Sequence, residues 1–275
     1  MPNPKQPKNR VVDGVARLVH EFLKRRMEKV ESDISAFLNV NPFLLSSLRE
    51  FHSFHTVRDL AEFLFISHMS QGHATGFGKL VDEKMLPQVF KTIKLNRTVR
   101  RERKLSAAAY NEIDHIVNPD SKDDWSLLSV KAGAWTIQDT AAHNLYSAFK
   151  QIGDFQLYGK EIVVGVFYGN KDSLTNKYDI LKGINPRQQD QFVVLNHVRV
   201  LAGKAFWSWL NGDEEQTQEW VLEGTKAGSE AAFTAGVSTV IRDAPQRLAE
   251  ELAKKYGISL EGNIDWLRLL IAIND

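Results

Sequence analysis

One stretch constrains this chain more than any other: residues 110–149, YNEIDHIVNPDSKDDWSLLSVKAGAWTIQDTAAHNLYSAF. It reads as strand, turn, strand and helix. Residues 110–117 alternate with a period of two, which puts Glu112, Asp114 and Ile116 on one face and Ile113, His115 and Val117 on the other. Residues 118–124, NPDSKDD, are dense in turn formers and include a proline that no inner ladder accepts. Residues 125–131 return as a second strand, with Leu127, Ser129 and Lys131 on one face and Leu128 and Val130 behind them. Gly133 breaks that strand. A helix is expected over residues 135–151, with Ile137, Ala141, Leu145 and Phe149 inward.

Strands that are buried or half-buried seldom carry an aspartate, and seldom pair it with a lysine on the neighbouring strand. Paired in register, the two strands would aim Asp114 and Lys131 into one pocket, with Ser129 and Glu112 beside them. A carboxylate that binds a divalent cation, with an ammonium close by, suits phosphodiester hydrolysis. The cation lowers the pKa of a bound water and neutralises the phosphate, and the lysine orients the nucleophile or stabilises developing charge. The plainer alternative is a cross-strand ion pair at a sheet edge, contributing about 0.2–1 kcal/mol.

The rest of the chain frames this motif. Residues 1–10 form a polar leader expected to be disordered. Helical periodicity runs from Val11 to about Phe51, broken at Asn41-Pro42, and resumes over residues 57–69. Residues 70–78, SQGHATGFG, read as a flexible loop entering a helix at 79–92, with its glycines able to approach a nucleic-acid backbone. It is not a phosphate loop: Gly72 and Gly78 enclose five residues rather than four, and Leu80 stands where a hydroxyl must hold magnesium. His68 and His73 are too isolated to be zinc ligands. Residues 91–104 hold Lys91, Lys94, Arg97, Arg100, Arg101, Arg103 and Lys104 against the single acid Glu102. Such a run is usually a solvated face. Residues 161–168, EIVVGVFY, are apolar on both faces, as a central strand is, and residues 191–200 give another strand. From Thr217 onward the pattern is helical, with Pro245 at the start of a helix over 244–255.

Bulk charge does not announce a nucleic-acid binder. The formal net charge is +1 over 275 residues, so any such surface must be a local patch. The sequence has no cysteine, which excludes disulfides and thiolate metal sites. With no apolar run of membrane-spanning length and no signal-peptide core, no membrane association is expected, and the simplest location is cytoplasmic.

The layout of Asp114 followed by Ser129-Val130-Lys131 on a hairpin resembles the core of the PD-(D/E)xK nucleases. The segments TGFGKLVDEKMLPQVF (75–90), EIDHIV (112–117), LLSVKAGAWTIQ (127–138), IVVGVFYGN (162–170) and GKAFWSWLNG (203–212) are similar, in the same order, to type II restriction endonucleases that read the interrupted palindrome RGGNCCY. The resemblance implies a magnesium-dependent enzyme that makes double-strand cuts in DNA, acts as a homodimer on a palindromic site, and is accompanied by a DNA methyltransferase that protects the host. It implies Asp114, Ser129 and Lys131 as catalytic residues, with Asp114 and the main chain of Val130 on the metal.

The family motif usually has an acid where this chain has Ser129. The replacement carboxylate is expected at Glu83, on the helix before the hairpin, with Glu112 and then Asp139 as alternatives. Expected DNA contacts are Arg100 and Arg101 to phosphate, Trp135, Thr136 and Gln138 at the helix start beside Lys131, and Asn170 in the polar loop 169–187. Two rival readings are a non-specific or repair-type nuclease of the same core, and a DNA-binding protein whose catalytic site has decayed at Ser129.

The expected fold is α/β: a central mixed β-sheet over about residues 106–202, flanked by helices, with helical segments at both ends. A helical N-terminal region (1–70) for packing or dimerisation would precede the catalytic core (71–225) and a helical C-terminal region (226–275).

Overall fold

The computed structural model describes residues 4–34, 41–121, 124–133, 137–184 and 192–274. The helices are α1 (Lys8–Ser32), α2 (Pro42–His52), α3 (Val57–Leu80), α4 (Leu86–Phe90), α5 (Arg97–Glu102), α6 (Asp139–Phe155), α7 (Lys177–Ile180), α8 (Lys204–Leu210), α9 (Thr217–Thr234), α10 (Val237–Tyr256) and α11 (Trp266–Asn274). The strands are β1 (Ile93–Lys94), β2 (His115–Val117), β3 (Ser126–Lys131), β4 (Ile162–Val166) and β5 (Val198–Ala202). They form one mixed sheet in the order β1-β2-β3-β4-β5. The first three are antiparallel, and β3, β4 and β5 are parallel. This is the expected α/β architecture, helical at both ends.

The chain divides into two compact units. One joins the segment up to Leu18 with Gly78–Lys226, and the other joins Val19–Phe77 with the segment from Ala227 onward.

The first unit holds the sheet. Strand β4 is buried along its whole length, as its two apolar faces require. One face of the sheet presents Ile116, Leu127, Ile162 and Val164 to α6, whose Ala142, Leu145, Phe149 and Ile152 recur at helical spacing. Burying Phe149 alone contributes about 1.5–3 kcal/mol. The helix starts at Asp139, and it is Ala142, not Ala141, that turns inward. On the other face Gly165 admits the Phe206 ring of α8, since a Cβ there would sit 2.3 Å from a ring carbon. The leader is tied down: the Gln6 N–H donates to Asn211 Oδ1 at 2.6 Å, and Asn211 Nδ2 donates back to the Gln6 carbonyl.

The second unit is helical, around Val30, Phe54, Leu60, Leu248, Leu252 and Leu269. Here the sequence expectation fails twice. The glycine-rich residues 70–78 are not a loop but the last turns of α3. Gly72 and Gly76 lie one turn apart, where side chains would meet Arg26 at 2.2 Å and Phe22 at 2.9 Å, so close packing against α1 outweighs their poor helix propensity. Likewise Pro245 lies inside α10, not at its start, with Ala244, Leu248, Ala249 and Leu252 fully buried beside it. The packing offsets the hydrogen bond that proline cannot make.

Candidate active site

All the residues of the site belong to the sheet-bearing unit. The chain approaching β2 differs from expectation. Residues 108–112 form a single 3-10 turn, so the strand is three residues long and Glu112 is not on it. Asp114 stands just before β2 yet is held on both sides: its N–H donates to the Leu128 carbonyl at 2.9 Å, and its carbonyl accepts from the Leu95 N–H at 2.8 Å. The antiparallel register runs Val117↔Ser126, Ile116↔Leu127 and His115↔Leu128, and ends one residue short of Asp114. One carboxylate oxygen of Asp114 then accepts from the Val130 N–H at 2.7 Å. The side chain thus continues the ladder where the strand ends.

Ser129 and Lys131 share a face as expected. Ser129 is fully buried, and the Lys131 ammonium donates to its hydroxyl at 3.3 Å. Among the described residues the ion partner of Asp114 is not Lys131 but Lys94, 3.4 Å from its other carboxylate oxygen. Lys94 lies in β1 opposite His115, and its main partner is Asp82, whose two oxygens it meets at 2.7 and 2.6 Å. Two carboxylates therefore converge on one ammonium at the edge of the sheet.

Asp82 owes its place to a local irregularity. Residues Val81–Met85 form a π-helical turn, closed by the Leu86 N–H donating five residues back to the Val81 carbonyl. Pro87 follows directly; it has no N–H to give Glu83, and its ring crowds that carbonyl, which favours the wider turn. Glu83 is exposed and makes no hydrogen bond or ion pair among the described residues, while its neighbour Asp82 is half-buried in the cluster.

Behind Asp82 lies a buried relay. His115, 0% exposed, places Nε2 2.8 Å from an Asp82 oxygen and Nδ1 2.9 Å from the Thr92 hydroxyl. An ionised carboxylate only accepts, so Nε2 carries the hydrogen and Nδ1 accepts from Thr92. Burial raises the Asp82 carboxyl, but the hydrogen bonds and charges of His115 and Lys94 outweigh it and hold the group below the ordinary carboxylate value.

The basic run is divided. Arg100 turns inward, donating to Asn111 Oδ1 at 3.2 Å and to the Ile113 carbonyl at 3.1 Å, so it holds the segment leading into Asp114. Lys91, Arg97, Arg101, Arg103 and Lys104 are exposed, without an ion partner among the described residues. Of the other expected contacts, Gln138 is exposed at the N-cap of α6 and makes no cap hydrogen bond, and Asn170 caps a short 3-10 turn through the Ser173 N–H. Asp139 pairs with Lys177 and His143. Trp135 and Thr136 lie outside the described residues.

What the sequence did not reveal was Asp82, Lys94, Thr92 and His115. The signal was present in part: a histidine amid the apolar IDHIV needs polar partners if buried, and each ring nitrogen has one. No family model matches the chain, and no curated protein is similar enough to count as a match.

The donor set has a definite chemistry. Asp82 and Asp114 offer hard oxygens already gathered around a cation, the lysine ammonium. Among the described residues no three His, Asp or Glu side chains form a closed metal cage. An open pair fits magnesium, which is commonly held by one or two carboxylates and completed by water and substrate phosphate.

Proposed function

We propose that this chain is a magnesium-dependent DNA endonuclease of the type II restriction class. One observation carries the reading: Asp82 and Asp114 converge on a single cation beside the strand that delivers Lys131. The resemblance of residues 75–90, 112–117 and 127–138 to restriction endonucleases supports it, because those segments contain Asp82, Asp114, Ser129 and Lys131. The carboxylate replacing the usual acid at Ser129 is then Asp82, one position before the expected Glu83.

Magnesium, when bound, would be held by Asp82 and Asp114 with the Val130 main chain, and would lower the pKa of a water and neutralise the scissile phosphate. The protein does the rest. The bond from Asp114 to the Val130 N–H fixes the carboxylate to the strand that ends in Lys131. Ser129, buried beneath, steadies the Lys131 ammonium, which orients the attacking water and offsets charge on the phosphate. In the hydrolysis the water oxygen bonds to phosphorus and the P–O3′ bond breaks. One water proton is released and another reaches the 3′ oxygen, leaving 5′-phosphate and 3′-hydroxyl ends.

Exposed Arg97, Arg101 and Arg103 of α5 and its flank supply a phosphate-contacting face just before the site. A palindromic target of the RGGNCCY kind would be read by a homodimer, one protomer per half-site. A cytoplasmic location beside a protecting methyltransferase completes the proposal. Among the described residues no helix is long and apolar enough to cross a membrane.

The test is incubation of the purified chain with a fully sequenced phage DNA, with and without magnesium. Discrete bands that require the metal are expected, and mapping their ends gives site and overhang. A smear would replace the reading with a non-specific nuclease. No cutting with magnesium or manganese would favour the DNA-binding alternative.

A further inference from the structure

We propose that Lys94 is a built-in counter-cation: its ammonium occupies the place between Asp82 and Asp114 that a divalent cation needs, and metal enters only as Lys94 leaves. The inference rests on the metal-site reading above but adds a competitor within the protein itself.

The geometry is that of a cation site. Lys94 Nζ meets both oxygens of Asp82 and one oxygen of Asp114, so three carboxylate oxygens surround one positive charge. Two ionised carboxylates so close would repel each other; the ammonium removes half of their charge and holds them facing one point. Everything else about the pair is fixed from behind, Asp82 by His115 and Asp114 by the Val130 N–H. Lys94 is the part able to withdraw, since an ammonium on a four-carbon stem can leave by rotation about its side-chain bonds. Its side chain is 34% exposed, so a path to solvent exists.

The consequence is thermodynamic. A site that must first be vacated binds with an apparent affinity reduced by the fraction of time it is vacant. If Lys94 is home about nine-tenths of the time, metal binding without DNA is weakened about ten-fold. DNA reverses this, because a phosphate gives the displaced ammonium a new partner, and DNA and metal then bind with positive coupling. The free enzyme would hold little metal, and the DNA complex would load it.

The experiment titrates Mn²⁺ into the full chain without DNA, following free Mn²⁺ by its paramagnetic resonance signal, with circular dichroism confirming the fold. Lys94→Met should bind Mn²⁺ about ten-fold more tightly than wild type, and Lys94→Arg, which keeps a cation in place, should not. Lys94→Gln serves if the methionine variant does not fold. In the K94M protein, Mn²⁺ should also raise the melting temperature more than in wild type, because the unpaired carboxylates then depend on it. Equal affinity in K94M and wild type, with Asp82→Asn weakening both, would overturn the role of Lys94 and leave the metal site standing. Weaker binding in K94M would also overturn it. Folded proteins that bind no Mn²⁺ at millimolar concentration, wild type and K94M alike, would overturn the inference and the metal site together.

Discussion

The two lysines near Asp114 live in contrasting surroundings. At the antiparallel edge, Lys94 is surrounded by carboxylate oxygens in a network that runs back through Asp82 and His115 to Thr92. At the end of β3, Lys131 has one weak partner among the described residues, the hydroxyl of Ser129, and no acid. The edge is saturated with mutual contacts; the strand end is left with capacity to spare. The carboxylates of the edge are held in place, while an undercommitted ammonium at the end of a rigid strand is open to meet a further oxygen. In the proposed nuclease, this division would give Asp82 and Asp114 the holding role and Lys131 the chemistry.

Charge removal breaks the comparison most sharply. Asp114→Ala, Asp82→Asn and Lys131→Met should each reduce cleavage by at least about 10²–10³-fold. Glu83→Ala should stay within about two-fold of wild type, as suits a solvated carboxylate. Single-turnover cleavage with circular dichroism controls reads all four. If E83A were as damaged as D114A while D82N cut normally, the replacement carboxylate would return to Glu83.

The buried relay is next. His115→Ala removes a donor to Asp82 and strands the Thr92 hydroxyl in the interior. The cost should be about 1–3 kcal/mol of stability, by urea denaturation. The equivalent cut at the strand end, Ser129→Ala, removes one neutral acceptor 3.3 Å from the Lys131 ammonium and should cost less. Equal losses would mean that the two regions are built alike after all.

The pH dependence separates them further. The folded Asp82 carboxyl lies below its ordinary value, so ionised Asp82 contributes stability that is complete above about pH 4. That contribution is lost as pH falls through the lower, folded value. The stability gap between wild type and Asp82→Asn should therefore be constant from pH 7 to about 5 and close below about 4. A gap that persists unchanged into strong acid would show that Asp82 acts through shape and not through charge.

How much of this was legible beforehand differs between the same two regions. The β3 strand, with Ser129 and Lys131 on one face, and the wholly buried β4 follow from alternation and apolar content, because a strand's period is set by its own backbone. The antiparallel pairing of the two strands around the turn, expected as a hairpin, is present as well. The edge does not follow, because it depends on two departures from regular geometry. Within the π turn Asp82 sits in the cluster and Glu83 is exposed, a one-residue difference that a helical period does not foresee. The two-residue β1 took Lys94 out of a run that reads as uniform surface charge. Arg100 left the same run for the same reason, a partner distant in sequence. Residues 70–78 failed differently: glycines that signal a loop locally were selected by close contact with Phe22 and Arg26.

The smallest effects concern the basic run, and there the contrast is within one helix. Arg101 is exposed and free of acids among the described residues, whereas Arg100 is bound to Asn111 and to the Ile113 carbonyl. If α5 faces DNA, Arg101→Ala should weaken binding evenly across sequences and reduce the slope of log K against log salt by about 1. Arg100→Ala should leave that slope nearly unchanged and act instead on cleavage, because it loosens the segment that carries Asp114. Binding isotherms at several salt concentrations, in calcium so that no cutting intervenes, give both numbers. A slope that falls for R100A and not for R101A would exchange their roles, making Arg100 the phosphate contact and Arg101 part of a solvated face.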